Sequence, residues 1–123
     1  MFGDHFVAVV LVNNVAFLSR WYHGRINRRV AASRLEEVGR PGAYLVRDSE
    51  SEPGSFVLSF LDYDGLVFHY RINCQDGQYN TAGQSNRWFS SLQTLLGYYM
   101  KYSTVRKNQH LGVAVSPPEV GVT

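Results

Sequence analysis

Closely spaced turns divide the middle of the chain into short strands, and this spacing limits the folds available to it. The turns carry Pro53-Gly54, Asp64-Gly65 and Asp76-Gly77, residue pairs that favour tight reversals. Between them lie four stretches of strand-forming residues: Ala43–Asp48, Phe56–Leu61, Leu66–Asn73 and Gln78–Thr81. Strands joined by such short turns pair as antiparallel neighbours. The sequence therefore predicts an antiparallel sheet.

One helix is predicted on each side of these strands. The first follows Asn27, which is suited to cap a helix, and its apolar residues recur at helical spacing: Ala31, Leu35 and Val38. The second begins after Ser90 or Ser91 and reaches about Tyr102, with apolar residues at Leu92, Leu95, Leu96 and Tyr99. The tail 111–115 is expected to pair as an edge strand. The simplest packing is an α+β fold, a central antiparallel β-sheet flanked by one α-helix on each face.

Residues 1–18 differ in composition from the rest of the chain. Phe6–Val12 is an apolar, β-branched run, and Val15–Leu18 resumes it. An extra strand, a disordered leader and a gene-model remnant are the open interpretations; a signal peptide is disfavoured because no Lys or Arg precedes the run. We expect residues 1–18 to be a leader, 19–118 to form one domain and 119–123 to be a C-terminal tail.

Composition excludes several classes of function. The chain has 123 residues, of which 45% are hydrophobic, and this suits one folded domain. Its formal net charge of +2 is too low to argue for nucleic-acid binding. The one cysteine, Cys74, excludes an internal disulfide and a cysteine-based zinc cluster. No apolar run approaches the roughly 18 residues of a membrane-spanning helix. We expect a monomer without cofactor, metal, nucleic-acid partner or direct membrane insertion.

Arg47 is an unusual residue to find in an apolar strand. Strand alternation places it on the face of Leu45 and Ser49, opposite Tyr44 and Val46. A buried arginine needs a partner, which is either an internal carboxylate or an anionic ligand, and its guanidinium fork suits a phosphate. If the first helix covers this face, guanidinium, imidazole and hydroxyl groups converge around it: Arg28, Arg47, Ser49, Ser51, His69 and Arg71.

A series of motifs gives this constellation a family resemblance. In order, they are Trp21-Tyr-His-Gly24, Tyr44-Leu-Val-Arg-Asp-Ser49, Pro53-Gly-Ser-Phe-Val-Leu-Ser59, His69-Tyr-Arg-Ile72, Phe89-Ser-Ser-Leu92 and Leu96-Gly-Tyr-Tyr99. Together they resemble a Src homology 2 (SH2) domain over residues 19–118. Within that family the chain most resembles the first SH2 domain of Ras GTPase-activating proteins.

The resemblance implies a role for each matching residue. It implies phosphotyrosine binding by six residues: Arg28, Arg47, Ser49, Ser51, His69 and Arg71. It assigns three others to the selection of peptide residues: Tyr70, Tyr99 and Thr81. The implied protein is a cytoplasmic, non-catalytic module that recruits its parent protein to tyrosine-phosphorylated receptors or adaptors.

The chain departs from the family pattern at three places. Asp48 stands where the family usually has Glu. Glu50 and Glu52 add two carboxylates to the phosphate loop, and we expect them to point to solvent. The loop 80–88 is about three residues longer than usual by motif spacing, so that Trp88 falls either on the core side or in the second pocket.

Three other functions compete with phosphotyrosine binding. A degenerate SH2 fold would keep only a structural role, but its sequence sign would be loss of Arg47, which is present. An enzyme would need a nucleophile with a base, or a metal, and the four histidines are scattered without ligand spacing. An adaptor acting through another surface would use the 7–12 run or Pro117-Pro118.

Overall fold

The computed structural model describes residues 8–12, 15–82, 86–103 and 109–118. These ranges contain eight elements in the following order: β1 (Ala8–Val12), β2 (Val15–Ser19), α1 (Arg28–Val38), β3 (Tyr44–Asp48), β4 (Phe56–Leu61), β5 (Val67–Gln75), β6 (Gln78–Thr81) and α2 (Leu92–Lys101). Neither of these helices has the length and apolar character that crossing a membrane requires.

β1 and β2 form a separate two-stranded antiparallel sheet. Their register pairs Ala8 with Ser19 and Val12 with Val15. Of the interpretations left open for the leader, the extra strand is the one observed, as a pair of strands. Residues 1–7 and 13–14 lie outside the described residues.

β3, β4, β5 and β6 form the predicted antiparallel sheet, in that order. In the β4–β5 turn the Asp62 carboxylate accepts hydrogen bonds from the backbone N–H groups of Asp64 and Leu66, at 2.8 and 2.9 Å. In the β5–β6 turn Asp76 and Gly77 both have positive φ (52° and 75°), as the tightest hairpin turns require. Because Leu66 belongs to the first of these turns, β5 begins one residue later than predicted.

α1 covers one face of this sheet. Asn27 caps it by accepting a hydrogen bond from the backbone N–H three residues on, at 2.8 Å, and Gly39 ends it in the left-handed region (φ 69°). Ala31 and Leu35 are fully buried against β3 and β4. Val38 was predicted to share this buried stripe, but it is 40% exposed because it ends the helix past the edge of the apolar cluster.

α2 packs on the opposite face. Ser91 caps it, accepting a hydrogen bond from the Thr94 N–H at 3.0 Å. The four predicted apolar positions are all buried in one cluster: Leu92, Leu95, Leu96 and Tyr99. Tyr44 and Val46 join this cluster, whereas Leu45 joins the α1 side, as the predicted alternation of β3 requires.

Two segments run beside the free edge of β3. Val46 donates its N–H to the Trp21 carbonyl at 2.8 Å. At the other end of the strand, Tyr44 donates to the Val113 carbonyl at 3.0 Å and accepts from the Val115 N–H at 2.8 Å. The predicted edge pairing of the C-terminal segment is thereby confirmed, in the parallel sense.

His23 ties these two segments to α1. Its Nε2 donates to the Val115 carbonyl at 2.6 Å, and its Nδ1 accepts from Arg34 Nη1 at 2.8 Å. Both bonds require a neutral ring with its proton on Nε2. Burial lowers the pKa of His23 to about 4, and the nearby Arg34 guanidinium acts in the same direction.

Candidate anion-binding site

A cavity of about 360 Å³ opens between the start of α1, the loop after β3 and the faces of β4 and β5. All six residues predicted to contact phosphate line it: Arg28, Arg47, Ser49, Ser51, His69 and Arg71. Glu50, Val57 and Ala82 complete the lining. The structure thus brings the six residues together as expected, while their contact with a phosphate stays a prediction.

Arg47 forms the floor of this cavity, with a side chain only 5% exposed. Its Nε donates to Ser59 Oγ at 3.3 Å and its Nη2 donates to His69 Nδ1 at 3.4 Å. Its Nη1 lies 3.9 Å from Glu50 Oε2. The guanidinium is therefore anchored from inside the protein, with Nη1 on the side of the loop.

Ser59 links Arg47 to His69. Its Oγ accepts from Arg47 Nε, so its hydroxyl hydrogen is free to donate to His69 Nδ1 at 2.7 Å. Burial lowers the pKa of His69 to about 4, and the Arg47 guanidinium acts in the same direction. His69 is therefore neutral at pH 7 with its proton on Nε2. Ser59 was not among the predicted site residues. It is the one hydroxyl residue of an apolar strand and lies on the same face as Arg47, a position that indicates a role at the site.

The loop after β3 is closed by its own hydrogen bonds. Ser49 Oγ accepts from the Glu52 N–H at 3.1 Å, and Ser49 N–H donates to the Ser55 carbonyl at 3.0 Å. Because the Ser49 hydroxyl acts here as an acceptor, its hydrogen remains able to donate to an anion.

Glu50 and Glu52 do not simply point to solvent, and this expectation was wrong. Glu50 Oε2 accepts a hydrogen bond from the backbone N–H of Arg28, the first residue of α1, at 3.0 Å. Glu52 Oε1 lies 3.8 Å from Arg71 Nη1. Both carboxylates are about half exposed, at 55% and 56%, yet each faces an arginine of the cavity because the loop folds back over it.

The charges around the cavity leave a positive excess. Three guanidiniums, on Arg28, Arg47 and Arg71, face two carboxylates, and His69 is neutral. The positive charge of Arg28 acts on Arg47 and His69, adding to the effect of burial in lowering the pKa of each. A group with two negative charges would therefore find one net positive charge and several hydrogen-bond donors.

The residues predicted to select the peptide lie on the opposite face of the sheet. Tyr70 is partly buried and stacks on Phe60 with ring centroids 5.7 Å apart. Tyr99 and Thr81 are almost fully buried, at 1% and 2% exposure, and their hydroxyls are 3.1 Å apart. Neither of these two offers open surface to a peptide in this structure, and a role for them in peptide selection stays a prediction.

The exposed surface near Tyr99 belongs to other residues. Trp88 is 37% exposed and belongs to neither of the two apolar clusters. The Arg87 guanidinium lies 4.6 Å from the ring centroid of Tyr98, a cation–π arrangement that sequence analysis did not identify. Residues 83–85 of the long loop lie outside the described residues.

A larger cavity, of about 900 Å³, lies on the other side of the loop. It shares Ser49 and Glu50 with the first cavity but contains neither the buried Arg47 nor His69 or Arg71. Tyr22 and Asp48 line it and bond to each other at 2.6 Å, so that carboxylate already has a donor. We favour the smaller cavity as the functional site, since it holds the buried cation. In the part of the chain described, no group of three or more His, Cys, Asp or Glu residues is placed to hold a metal ion.

Comparisons with known proteins agree with this architecture. The family model for the SH2 domain matches residues 21–99. Ras GTPase-activating protein 1 of Rattus norvegicus and of Homo sapiens are each 46% identical over 101 residues, which is 82% of this chain. The tyrosine-protein phosphatase corkscrew of Drosophila melanogaster is 38% identical over 82 residues, 67% of the chain. The chain spans about 9% of the length of each of these three relatives.

The solved structures include a matching fold. The solution NMR structure of the SH2 domain of a Monosiga brevicollis CRK/CRKL homolog superposes with a TM-score of 0.70 at 30% identity, covering 80% of this chain and 88% of that one. The similarity to Ras GTPase-activating proteins inferred from the motifs is confirmed, as is the α+β architecture. The chain belongs to the SH2 domain family.

Proposed function

We propose that the protein binds tyrosine-phosphorylated peptides at the Arg47 cavity and performs no chemistry on them. SH2 domains are phosphotyrosine-recognition modules that use arginine clusters. The observation that carries the proposal is the convergence of six candidate phosphate contacts on one cavity whose floor is a buried arginine.

The depth of Arg47 favours phosphotyrosine over shorter phosphorylated residues. A phosphotyrosine holds its phosphate far from the backbone and carries close to two negative charges at neutral pH. Phosphoserine is too short to bring its phosphate to the floor of the cavity. The guanidiniums of Arg28 and Arg71 stand at the rim, where they can also lie over the tyrosine ring.

In the cell, this activity would recruit the parent protein to phosphorylated receptors or adaptors during tyrosine-kinase signalling. Relatives in Ras GTPase-activating proteins and in a tyrosine phosphatase support a signalling role. A cytoplasmic location and a monomeric state are part of the same proposal. The exposed Arg87 and the half-buried Tyr98 ring beside it are our candidate contacts for residues that follow the phosphotyrosine.

The test is a titration of the purified domain against one tyrosine peptide in phosphorylated and unphosphorylated forms, with binding measured by fluorescence anisotropy. We expect micromolar dissociation constants for the phosphorylated form, about −8 kcal/mol. Arg47→Ala should weaken binding by about 2–5 kcal/mol, the effect of truncating one partner of a buried charge pair. Arg47→Lys should also lose phosphopeptide binding, since an ammonium group lacks the planar fork of a guanidinium.

The control is Arg40→Ala, which removes an exposed arginine that does not line the cavity. It should bind as the wild type does. If the folded wild-type domain binds no phosphopeptide from a varied set, or if Arg47→Ala binds as well as Arg40→Ala, the proposal is wrong.

A further inference from the structure

One carboxylate oxygen occupies the mouth of the anion-binding cavity. Glu50 Oε2 accepts the backbone N–H of Arg28 at 3.0 Å, and the same oxygen lies 3.9 Å from Arg47 Nη1. The first contact uses the positive end of α1, and the second uses the buried cation of the site. Glu50 therefore bridges the first N–H of α1 and the buried Arg47 guanidinium, a group that an incoming phosphate would use.

The Glu50 carboxylate lies between the buried Arg47 guanidinium and solvent. The Arg47 side chain is 5% exposed, whereas that of Glu50 is 55% exposed. Because Arg47 Nε and Nη2 are turned inward to Ser59 and His69, Nη1 is the nitrogen that faces Glu50. An anion reaching Arg47 through Nη1 has to displace the carboxylate or accept its repulsion.

We infer that Glu50 is an intramolecular competitor for the phosphate-binding groups. Its carboxylate lowers the affinity of the site for anions, so a ligand needs more than one negative charge to bind in its place. This inference rests on the proposed phosphotyrosine binding and adds a residue that limits it. A side chain tethered in the same loop competes at a high effective concentration. A singly charged carboxylate from a partner has no electrostatic advantage over Glu50, whereas a phosphate dianion does.

Glu52 provides a natural comparison. It lies in the same loop and faces an arginine of the cavity at a similar distance, 3.8 Å. Its partner Arg71, however, is 48% exposed, so this pair is more fully screened by water than the pair with buried Arg47. The inference therefore predicts a larger effect on phosphate binding for Glu50 than for Glu52.

The experiment compares three charge-matched variants with the wild type: Glu50→Gln, Glu52→Gln and Glu37→Gln. Each replaces one negative carboxylate by an amide. Glu50→Gln keeps an oxygen able to accept the Arg28 N–H, and Glu37 is an exposed residue of α1 outside the cavity. Isothermal titration with a phosphotyrosine peptide, and separately with inorganic phosphate, gives the affinity of each protein.

We expect Glu50→Gln to bind the phosphotyrosine peptide about three- to tenfold more tightly than Glu37→Gln, since an ion pair contributes up to about fivefold and relief of like-charge repulsion adds to it. Inorganic phosphate should show the same order of variants, because the effect lies at the phosphate group. Glu52→Gln should fall between the two.

Every other result either supports or overturns the competitor role of Glu50. Equal affinities for all variants, equal gains for all three, or weaker binding by Glu50→Gln would overturn the competitor role while leaving phosphotyrosine binding intact. Binding by Glu50→Gln but not by the wild type would support both statements. Binding by neither would reject the proposed function and this inference with it.

Discussion

Acidification should destabilise the domain through His23. The folded protein holds this ring neutral, since Nδ1 accepts from Arg34 and burial lowers its pKa to about 4. In the unfolded chain the pKa returns to its ordinary value of 6.5. The unfolded state therefore binds more protons between these two values. The stability is fully present above pH 6.5 and is lost as the pH falls towards 4.

The expected loss follows from the two pKa values. At pH 5 the medium is 1.5 units below the unfolded pKa of 6.5 and still above the folded value. At about 1.36 kcal/mol per unit, His23 should lower the free energy of unfolding by about 2 kcal/mol between pH 7 and pH 5. The loss arises first because burial disfavours the charged ring, and second because protonation places a cation against Arg34 and removes the acceptor for its N–H.

Urea denaturation followed by tryptophan fluorescence at pH 7 and pH 5 measures this change. The pKa of His69 shifts in the same direction, so the wild type carries both contributions and the His23 part must come from a difference. His23→Gln keeps a donor for the Val115 carbonyl but does not titrate, and should lose about 2 kcal/mol less on acidification. The exposed His110, replaced in the same way, serves as control. If wild type and His23→Gln lose the same stability, the account of His23 as a buried neutral ring is refuted.

Three further substitutions test other parts of the structure. Ser59→Ala removes the acceptor for Arg47 Nε, and isothermal titration should show about three- to tenfold weaker phosphopeptide binding. Gly42→Ala places a Cβ 3.0 Å from the backbone nitrogen of Gly112 at φ +89°, and urea denaturation should show a loss of about 1–3 kcal/mol. Tyr99→Phe removes a buried hydroxyl and should cost about 1 kcal/mol of stability, while phosphopeptide affinity measured by anisotropy stays unchanged.

Periodic features of the sequence predict the fold and the cavity well. The two-residue alternation of a strand is strict, so the sequence alone places Arg47 on the face of Leu45 and away from Val46. The same rule sets His69 on the cavity face and Tyr70 on the other. This is why the strand residues of the cavity, Arg47, His69 and Arg71, were placed on one side correctly.

Loop side chains were predicted only in part: Ser49 and Ser51 line the cavity as expected, but the contacts of Glu50 were not anticipated. The loop that carries Glu50 has no period, and its direction depends on a cap to the Arg28 N–H that no local pattern encodes. Two separate predictions were made for Tyr99. Its helical spacing predicted burial, which the structure confirms, whereas the role in peptide selection that the family resemblance implied stays a prediction.

The two segments beside β3 are far apart in the sequence but adjacent in space. Residues 21–23 and 113–115 bond to the same strand, at Val46 and Tyr44, two positions apart. Their ends meet where the His23 ring touches the Val115 carbonyl. This contact joins residues 92 apart in sequence, so the two segments are held together by the His23 ring as well as by their bonds to β3.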